Sequence, residues 1–553
     1  MGRRTLRMHA RTQALMSASL AALAAAAFAS PAAAGTGAHY GITISKHATH
    51  NVTFANGVYT AIGAGAVLDV KDLTKALRTG NVEVTTGNGA GGTEDGDIHV
   101  RAALRWTGSF GLTLDAYHSL FIQAAVSDTG TGALTLTTND GGSGGTFIYS
   151  AGGSITIWDL SDILTIDGQV YTLAGDLPTL AGDIAANPTG FYALANSYDA
   201  GKDGTYTASP IGQAFNGGVD GLGNTLSNLT IASTQSDAKV GLFAELSNET
   251  VRDFVLSSAS VSGAGSQNAS EYVGALVGYG QNSTVSNVTV SSTVSAGTAT
   301  NVYLGGVAGY LTGGTLTDIA ATANVSGGVM SGGVAGYSTA TVTHATAAVT
   351  MTLGTWLGGL IGENSGTVSL SSASGTIGAK TTTWIGGLIG FNAGGTVSQC
   401  FATASATGGI DFSHVGGLIG NDEGTVENSY AEGAVTIKKG EVGGFAGSAR
   451  GNITSSYSAG AVSGKPIQYE GGFIGEVEKG EEPAIATSYW DLTTSGLGNP
   501  HQGVGNVSDY PGLTALTSTQ LRAGLPSGFD SSVWAQSPSI NNGFPYLIAN
   551  PPQ

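Results

Sequence analysis

The side chains best suited to chemistry in this 553-residue chain are few and scattered. His39, His47 and His50 form a histidine group of the kind that holds metal. In a strand-rich stretch, however, faces alternate with period two, so His47 and His50 do not share a face, and the segment lacks the ligand spacing of known zinc sites. Glu94-Asp-Gly-Asp97 and Asp199-Ala-Gly-Lys-Asp203-Gly are short acidic runs of the sort that bind Ca²⁺. Neither follows the EF-hand pattern, and Asp140-Gly-Gly-Ser-Gly-Gly is not the repeated calcium array, so both runs read as acidic turns. Cys400 is the only cysteine, which excludes internal disulfides and cysteine-rich zinc sites; it falls at a position otherwise taken by small residues and predicts a semi-buried packing role. Glu363 and Glu476 recur at one point of a repeat, and a carboxylate pair across coils is the machinery of glycosidases and lyases, although solvated surface is the ordinary fate of such residues. Tyr279, Tyr310 and Tyr337 occupy the same point and predict an aromatic ladder, either a ligand face for sugars or simple ring packing, for which stacking energy alone suffices. No catalytic, cofactor or metal residue is assigned.

The elements that must position these residues are set by the composition. Glycine numbers 89, charged residues make up 10% and hydrophobic residues 41%, a globular or fibrous composition and not a disordered one. Arg3, Arg4, Arg7 and Arg11 precede an apolar run from Ala14 to Phe28 and then Pro31-Ala-Ala-Ala34. This predicts a secretory signal peptide over 1–34, the run being short for a membrane span. The mature chain is thus expected outside the cytoplasm, extracellular or on the cell surface, with the periplasm as a further place, and without a transmembrane segment. Four of the 20 Lys and Arg lie in that leader and none of the 38 Asp and Glu does, so the exported chain is more acidic than the −18 of the whole. Nucleic acid is not a partner for such a surface.

The pattern Gly-(Gly/Ala)-x-x-Gly starts at Gly274, Gly305, Gly332, Gly358, Gly386, Gly416, Gly443 and Gly471, and Val240-Gly-Leu-Phe-Ala244 is a degenerate ninth copy. Intervals of 26 to 31 residues are a solenoid period. Apolar positions recur in register after each motif, Val285, Leu316, Val342, Val368, Val397, Val426 and Ile453 among them. Glycine, Thr and Val disfavour helix, while short strands with turns fit. The expectation is an all-β chain, a right-handed parallel β-helix with coils of about 28 residues stacked roughly 4.8 Å apart. The glycines are expected to serve tight corners or positive φ. A second aromatic column, Phe401, Tyr430, Tyr457 and Tyr489, predicts ring packing between coils.

The copies Gly387-Leu-Ile-Gly390 and Gly417-Leu-Ile-Gly420, with the looser Gly333-Val-Ala-Gly336 and Gly444-Phe-Ala-Gly447, resemble the GLUG motif of large exported bacterial surface proteins. Phe215 to Ile231 resembles the entry to such arrays, and Ser488-Tyr-Trp-Asp491 with Asn542-Gly-Phe-Pro-Tyr-Leu547 their exit. Leu134-Thr-Leu-Thr-Thr and Leu164-Thr-Ile-Asp-Gly in the N-terminal part are similar to filamentous haemagglutinin-type β-helices. The resemblance implies a β-helix on the outside of a bacterial, Gram-negative cell, of the adhesin or surface-protein kind. Asn187-Pro-Thr-Gly190 departs from the Asn-Pro-Asn-Gly of two-partner secretion domains, and the C-terminus has no run of barrel-forming strands.

The expected layout is a signal peptide at 1–34, an N-terminal haemagglutinin-like β-rich region at 35–182 with a short helix at Val70 to Arg78, a connecting segment at 183–235, the repeat β-helix at 236–495 and a C-terminal cap at 496–553. The aromatics Phe529, Trp534, Phe544 and Tyr546 are expected to pack over the last coil near Tyr489 and Trp490. The expected function is a non-enzymatic, adhesin-like structural protein presenting loops on a rigid rod, with surface glycans or proteins as partners. The alternative is a polysaccharide-active enzyme, glycosidase or lyase, on the same scaffold.

Overall fold

The computed structural model describes residues 39–552, apart from 88–91, 151, 237, 266–269, 298–300, 380–383, 410–412 and 465–468. The predicted signal peptide lies outside the described residues. The chain is an all-β parallel solenoid of about 16 turns. Among the described residues no helix is long and apolar enough to cross a membrane.

The first coils have three sides. Leu104–Trp106, Ala125–Asp128 and Ser154–Ile157 stack on one side, Val82–Thr85, Leu112–Asp115, Leu134–Thr137 and Leu164–Ile166 on the second, and Ile98–Val100, Leu120–Ile122 and Phe147–Tyr149 on the third. Alternation places Leu112, Leu114, Leu134, Leu136, Leu164 and Ile166 inside, each at most 1% exposed, so a stack of leucines fills the core. The predicted helix is present at Val70–Ala76, capped by the Asp69 carboxylate on the Lys71 amide. A second helix, Leu177–Ala186, capped by Asp176, separates Gln169–Ala174 from the coil that follows.

Residues 183–235, expected to connect, are themselves coiled. Gln169–Ala174 pairs in parallel with Phe191–Leu194, that strand with Gly218–Asp220, and that with Thr250–Arg252. From there one unbroken interior column runs through Val251, Val285, Leu316, Val342, Val368, Val397, Val426, Ile453 and Ile485. The register read from the motif is the register of the sheets. All nine copies, including the degenerate one at Val240, contribute to two nine-stranded parallel sheets, one formed by the strand before each motif turn and one by the strand after it. Leu360, Leu388 and Leu418 sit in that turn, fully buried, and Leu388 N bonds the Leu418 carbonyl of the next coil at 2.8 Å.

The motif glycines are there for a reason other than φ. None has a positive φ. Instead the two sheets touch through their backbones: a Cβ on Gly309 would come within 2.4 Å of the Val273 nitrogen in the coil before, and one on Gly420 within 2.6 Å of the Ile385 nitrogen. Sheets that face each other through side chains stand about 10 Å apart; only bare glycine permits this closer contact. The sharp corner lies elsewhere. Asn287, Asp318, His344, Leu370, Gln399, Asn428, Ser455 and Thr487 hold one equivalent position, two residues after the interior column, and all have φ between 46 and 55°. Left-handed backbone turns the chain there in a single residue, a conformation Asn and Asp tolerate and Leu or Thr adopts at a cost.

The C-terminal segment is placed differently from expectation. Leu513–Leu516 adds one more rung onto Ser488–Asp491. The chain then turns through Ser518–Leu521, where Thr517 and Gln520 form a capping box, and runs back along the flank of the array, not over its end. Trp534 packs 6.0 and 5.9 Å from the Tyr430 and Tyr457 rings, and Phe529 lies 5.6 Å from Tyr489. The Tyr457 hydroxyl sits 2.7 Å from the Pro545 carbonyl, and Asn550 donates to the carbonyls of Ser371 and Gln399. The physical reason is the second aromatic column: Phe401, Tyr430 and Tyr457 stack at 4.9 and 5.0 Å with nearly parallel planes, and with Tyr489 they form one buried apolar cluster with Phe529, Trp534 and Phe544.

Two outcomes follow from this packing. Gly420→Ala should destabilise the protein by about 2 kcal/mol or more, since backbone must move, whereas Gly182→Ala, in open helix surface, should stabilise it by up to about 1 kcal/mol; urea unfolding reads both, and equal effects would contradict the close contact. Truncation after Leu516 should expose the ring column and give oligomers in light scattering, a monomer of unchanged melting temperature being the contrary result.

Candidate functional site

The outer ridge of the two nine-stranded sheets carries the side chains with chemical potential. One column, two residues before the first motif glycine, runs Tyr272, Tyr303, Met330, Trp356, Trp384, His414, Glu441 and Tyr469. The other, just after the last motif glycine, runs Glu245, Tyr279, Tyr310, Tyr337, Glu363, Phe391, Asn421, Ser448 and Glu476. The second was legible in the sequence; the first went unread, although aromatic residues at that fixed offset from the glycine were the signal.

The predicted ladder of Tyr279, Tyr310 and Tyr337 is present. Tyr279 and Tyr310 stack at 5.6 Å and 10°, Tyr310 and Tyr337 at 4.4 Å and 13°. The columns interleave, with Tyr272 4.9 Å from Tyr310 and Tyr303 5.0 Å from it. Further along, Trp356 and Trp384 stack at 4.7 Å and Phe391 lies 4.6 Å from Trp384. All these rings are half-buried. Their faces lie against one another along the axis, which leaves chiefly edges and hydroxyls to solvent, whereas sugars bind aromatic faces. Lys239 closes one end, ion-paired with Glu245 and 4.7 Å above the Tyr279 ring.

Glu363 and Glu476 share a column but not a site, because Phe391, Asn421 and Ser448 separate them. Glu363 sits between Tyr337 and Phe391, and burial pushes its carboxyl up to about 7. Glu476 meets a different partner. His414, Glu441 and Glu476 bring one ligand atom each to within 4.8 Å of one another. His414 Nδ1 lies 3.0 Å from Glu441 Oε2. Burial, then the nearby Arg450, lowers His414 to about 4, and burial, then Glu476, raises Glu441 to about 8. Burial thus works against the charged form of each partner. Arg450 is itself held by Glu423, Glu478 and Glu481. Trp384, Asn421 and Ser448 complete the walls of a small cleft here.

The other expected residues have structural places. His39 stacks on Tyr117 at 3.5 Å and its Nδ1 contacts the Thr86 carbonyl, while His50 Nδ1 contacts the Ala48 carbonyl; they do not converge with His47. The Glu94 carboxylate accepts from the Gly41 and Gly65 amides, Asp97 from Ser119, and Asp199 from Gly201 and Asn228, as acidic turns do. Cys400 stands in an interior column with Ser371, Ser429 and Ser456, each donating to the carbonyl two residues back. Burial pushes its thiol up to about 12, so it packs as a serine replacement and not as a nucleophile. Beside it runs a buried amide ladder, Asn364 donating to Asn392 at 2.9 Å and Asn392 to Asp422 at 2.7 Å.

These features define a class, a parallel β-solenoid whose coils are built on a glycine-rich turn motif. The family model for the GLUG motif matches residues 269–295 and 413–436, two of the nine coils whose strands form the paired sheets. A comparison with curated proteins finds no match. The GLUG motif therefore accounts for the architecture of the array.

Glu363 supplies a pH test. Its folded value of about 7 stands above its ordinary 4.5, so the fold favours the protonated form. Its contribution is full below about pH 4.5 and is lost as pH rises through 7. Glu363→Gln should therefore gain stability relative to the native chain between pH 5 and pH 8 in urea melts. Parallel pH profiles for the two proteins would refute the burial argument.

Proposed function

We propose that the protein is an exported, non-enzymatic attachment protein of the bacterial surface or its surroundings, a rigid rod that presents loops to surface glycans or proteins. GLUG repeats on a β-solenoid are consistent with a surface or secreted repeat protein, and the arginine-led apolar start of the sequence supports export. The N-terminal coils, haemagglutinin-like in sequence, extend the rod on the side away from the aromatic flank.

The observation that carries the reading is the self-stacked ridge. A polysaccharide enzyme needs an open groove with ring faces toward the substrate and a carboxylate pair across it. Here the ring faces are turned on one another, and Glu363 and Glu476, the carboxylates that share the tyrosine column, stand apart with Phe391, Asn421 and Ser448 between them. The enzymatic alternative has one specific place to stand, the cluster of His414, Glu441 and Glu476 at the cleft that His414, Glu476 and Trp384 line.

Fractionation with an antibody to the array should find the chain outside the cytoplasm with its first residues removed, and deletion of the gene should reduce attachment of the cells to surfaces. A full-length chain retained in the cytoplasm would overturn the reading. Cleavage of any member of a panel of plant and bacterial polysaccharides, lost in Glu441→Gln, would replace it with the enzyme.

A further inference from the structure

The cluster of His414, Glu441 and Glu476, beside the cleft that His414 and Glu476 line, has a feature that neither an attachment rod nor a packing ridge requires. Glu441 is fully buried, and neither of its carboxylate oxygens has a donor in hydrogen-bonding geometry, although His414 Nδ1 approaches one of them to 3.0 Å. A carboxylate held in the interior without donors is costly unless a cation compensates it. Close approach of donor atoms without hydrogen-bond alignment is how the ligands of one metal stand to each other: around tetrahedral zinc, with bonds near 2.0–2.1 Å, they lie roughly 3.3 Å apart.

The register explains how three ligands converge. The offset between the two columns that sets Tyr272 against Tyr310, one coil further on, sets Glu441 against Glu476 in the same way, and His414 is the neighbour of Glu441 in its own column. Trp384 and Asn421 lie just before the three ligands and Tyr469 beside them, so the cluster begins where the rings give way. Arg450 is ion-paired with Glu423, Glu478 and Glu481, three carboxylates against one guanidinium, so the surroundings of the cluster are acidic on balance.

We propose that His414, Glu441 and Glu476 bind one divalent transition-metal ion of the zinc type, beside the cleft that His414 and Glu476 line. One imidazole and two carboxylates suit zinc and its neighbours, whereas calcium takes oxygen alone. The ion joins three successive coils, the motifs of which begin at Gly416, Gly443 and Gly471.

The test uses the whole exported chain, stripped with a chelator and titrated with zinc chloride in a calorimeter. The expected result is saturable binding of one ion per chain and a rise in melting temperature on loading, since the unfolded chain lacks the site. His414→Ala and Glu476→Gln, both at half-buried positions, should each weaken binding by at least about 10-fold, while Glu363→Gln on the same ridge should leave it unchanged. Cobalt in place of zinc should give a visible absorption band in the native chain that His414→Ala lacks. Absence of saturable zinc binding, or binding that both variants retain at native strength with native circular dichroism, would overturn the proposal.

Discussion

Backbone rests on backbone where the two sheets of the array meet, and the rest of the molecule is arranged around that contact. Each motif contributes one glycine to either side, and a methyl group at Gly386 would lie 1.9 Å from the Ile389 carbonyl of its own turn. Because nothing intervenes, the strands before and after the turn run at a fixed separation through nine coils. The turn residues between the glycines, Leu360, Leu388, Leu418, Phe445 and Phe473, are driven inward and buried. The residues flanking the glycines are driven onto one narrow outer ridge. The motif thereby determines the core and the ridge together.

Coil spacing then does the rest. Side chains in equivalent positions are brought about 4.8 Å apart, a distance that suits stacked rings, chained amides and hydroxyl ladders. Tyr310 on Tyr337, Asn364 on Asn392 and Ser429 on Ser456 are three chemistries meeting the same geometric demand. Acidic neighbours meet it badly, which is why carboxylates on the ridge are sparse and why Glu441 beside Glu476 stands out.

Much of this was written in the repeat. The spacing of Gly274 to Gly471 specified the coils, their register and the inward leucines, because stacking makes equal sequence position equal spatial position. The Tyr279 column was readable for the same reason. The convergence of His414, Glu441 and Glu476 was not, since it depends on the offset between two columns, and that offset is a property of how the sheets meet and not of either strand. The corners were hidden as well: Leu370 and Thr487 adopt left-handed backbone that their side chains disfavour, imposed by the coils above and below. The flank position of the C-terminal segment lay beyond periodicity, since residues 517–552 stand outside the repeat; their aromatics signalled burial but not against which surface.

That segment changes how the array can come apart. A stack of like coils ordinarily frays from its ends, one coil leaving at a time. Here the chain doubles back from the last rung, leans on Tyr489, Tyr457 and Tyr430 in turn, and fastens by Asn550 to the carbonyls of Gln399 and Ser371. The final coils are strapped in parallel and not in series, so a pull along the axis must shear the strap from several coils at once before the last can peel. The C-terminal end of the array is thus mechanically clasped.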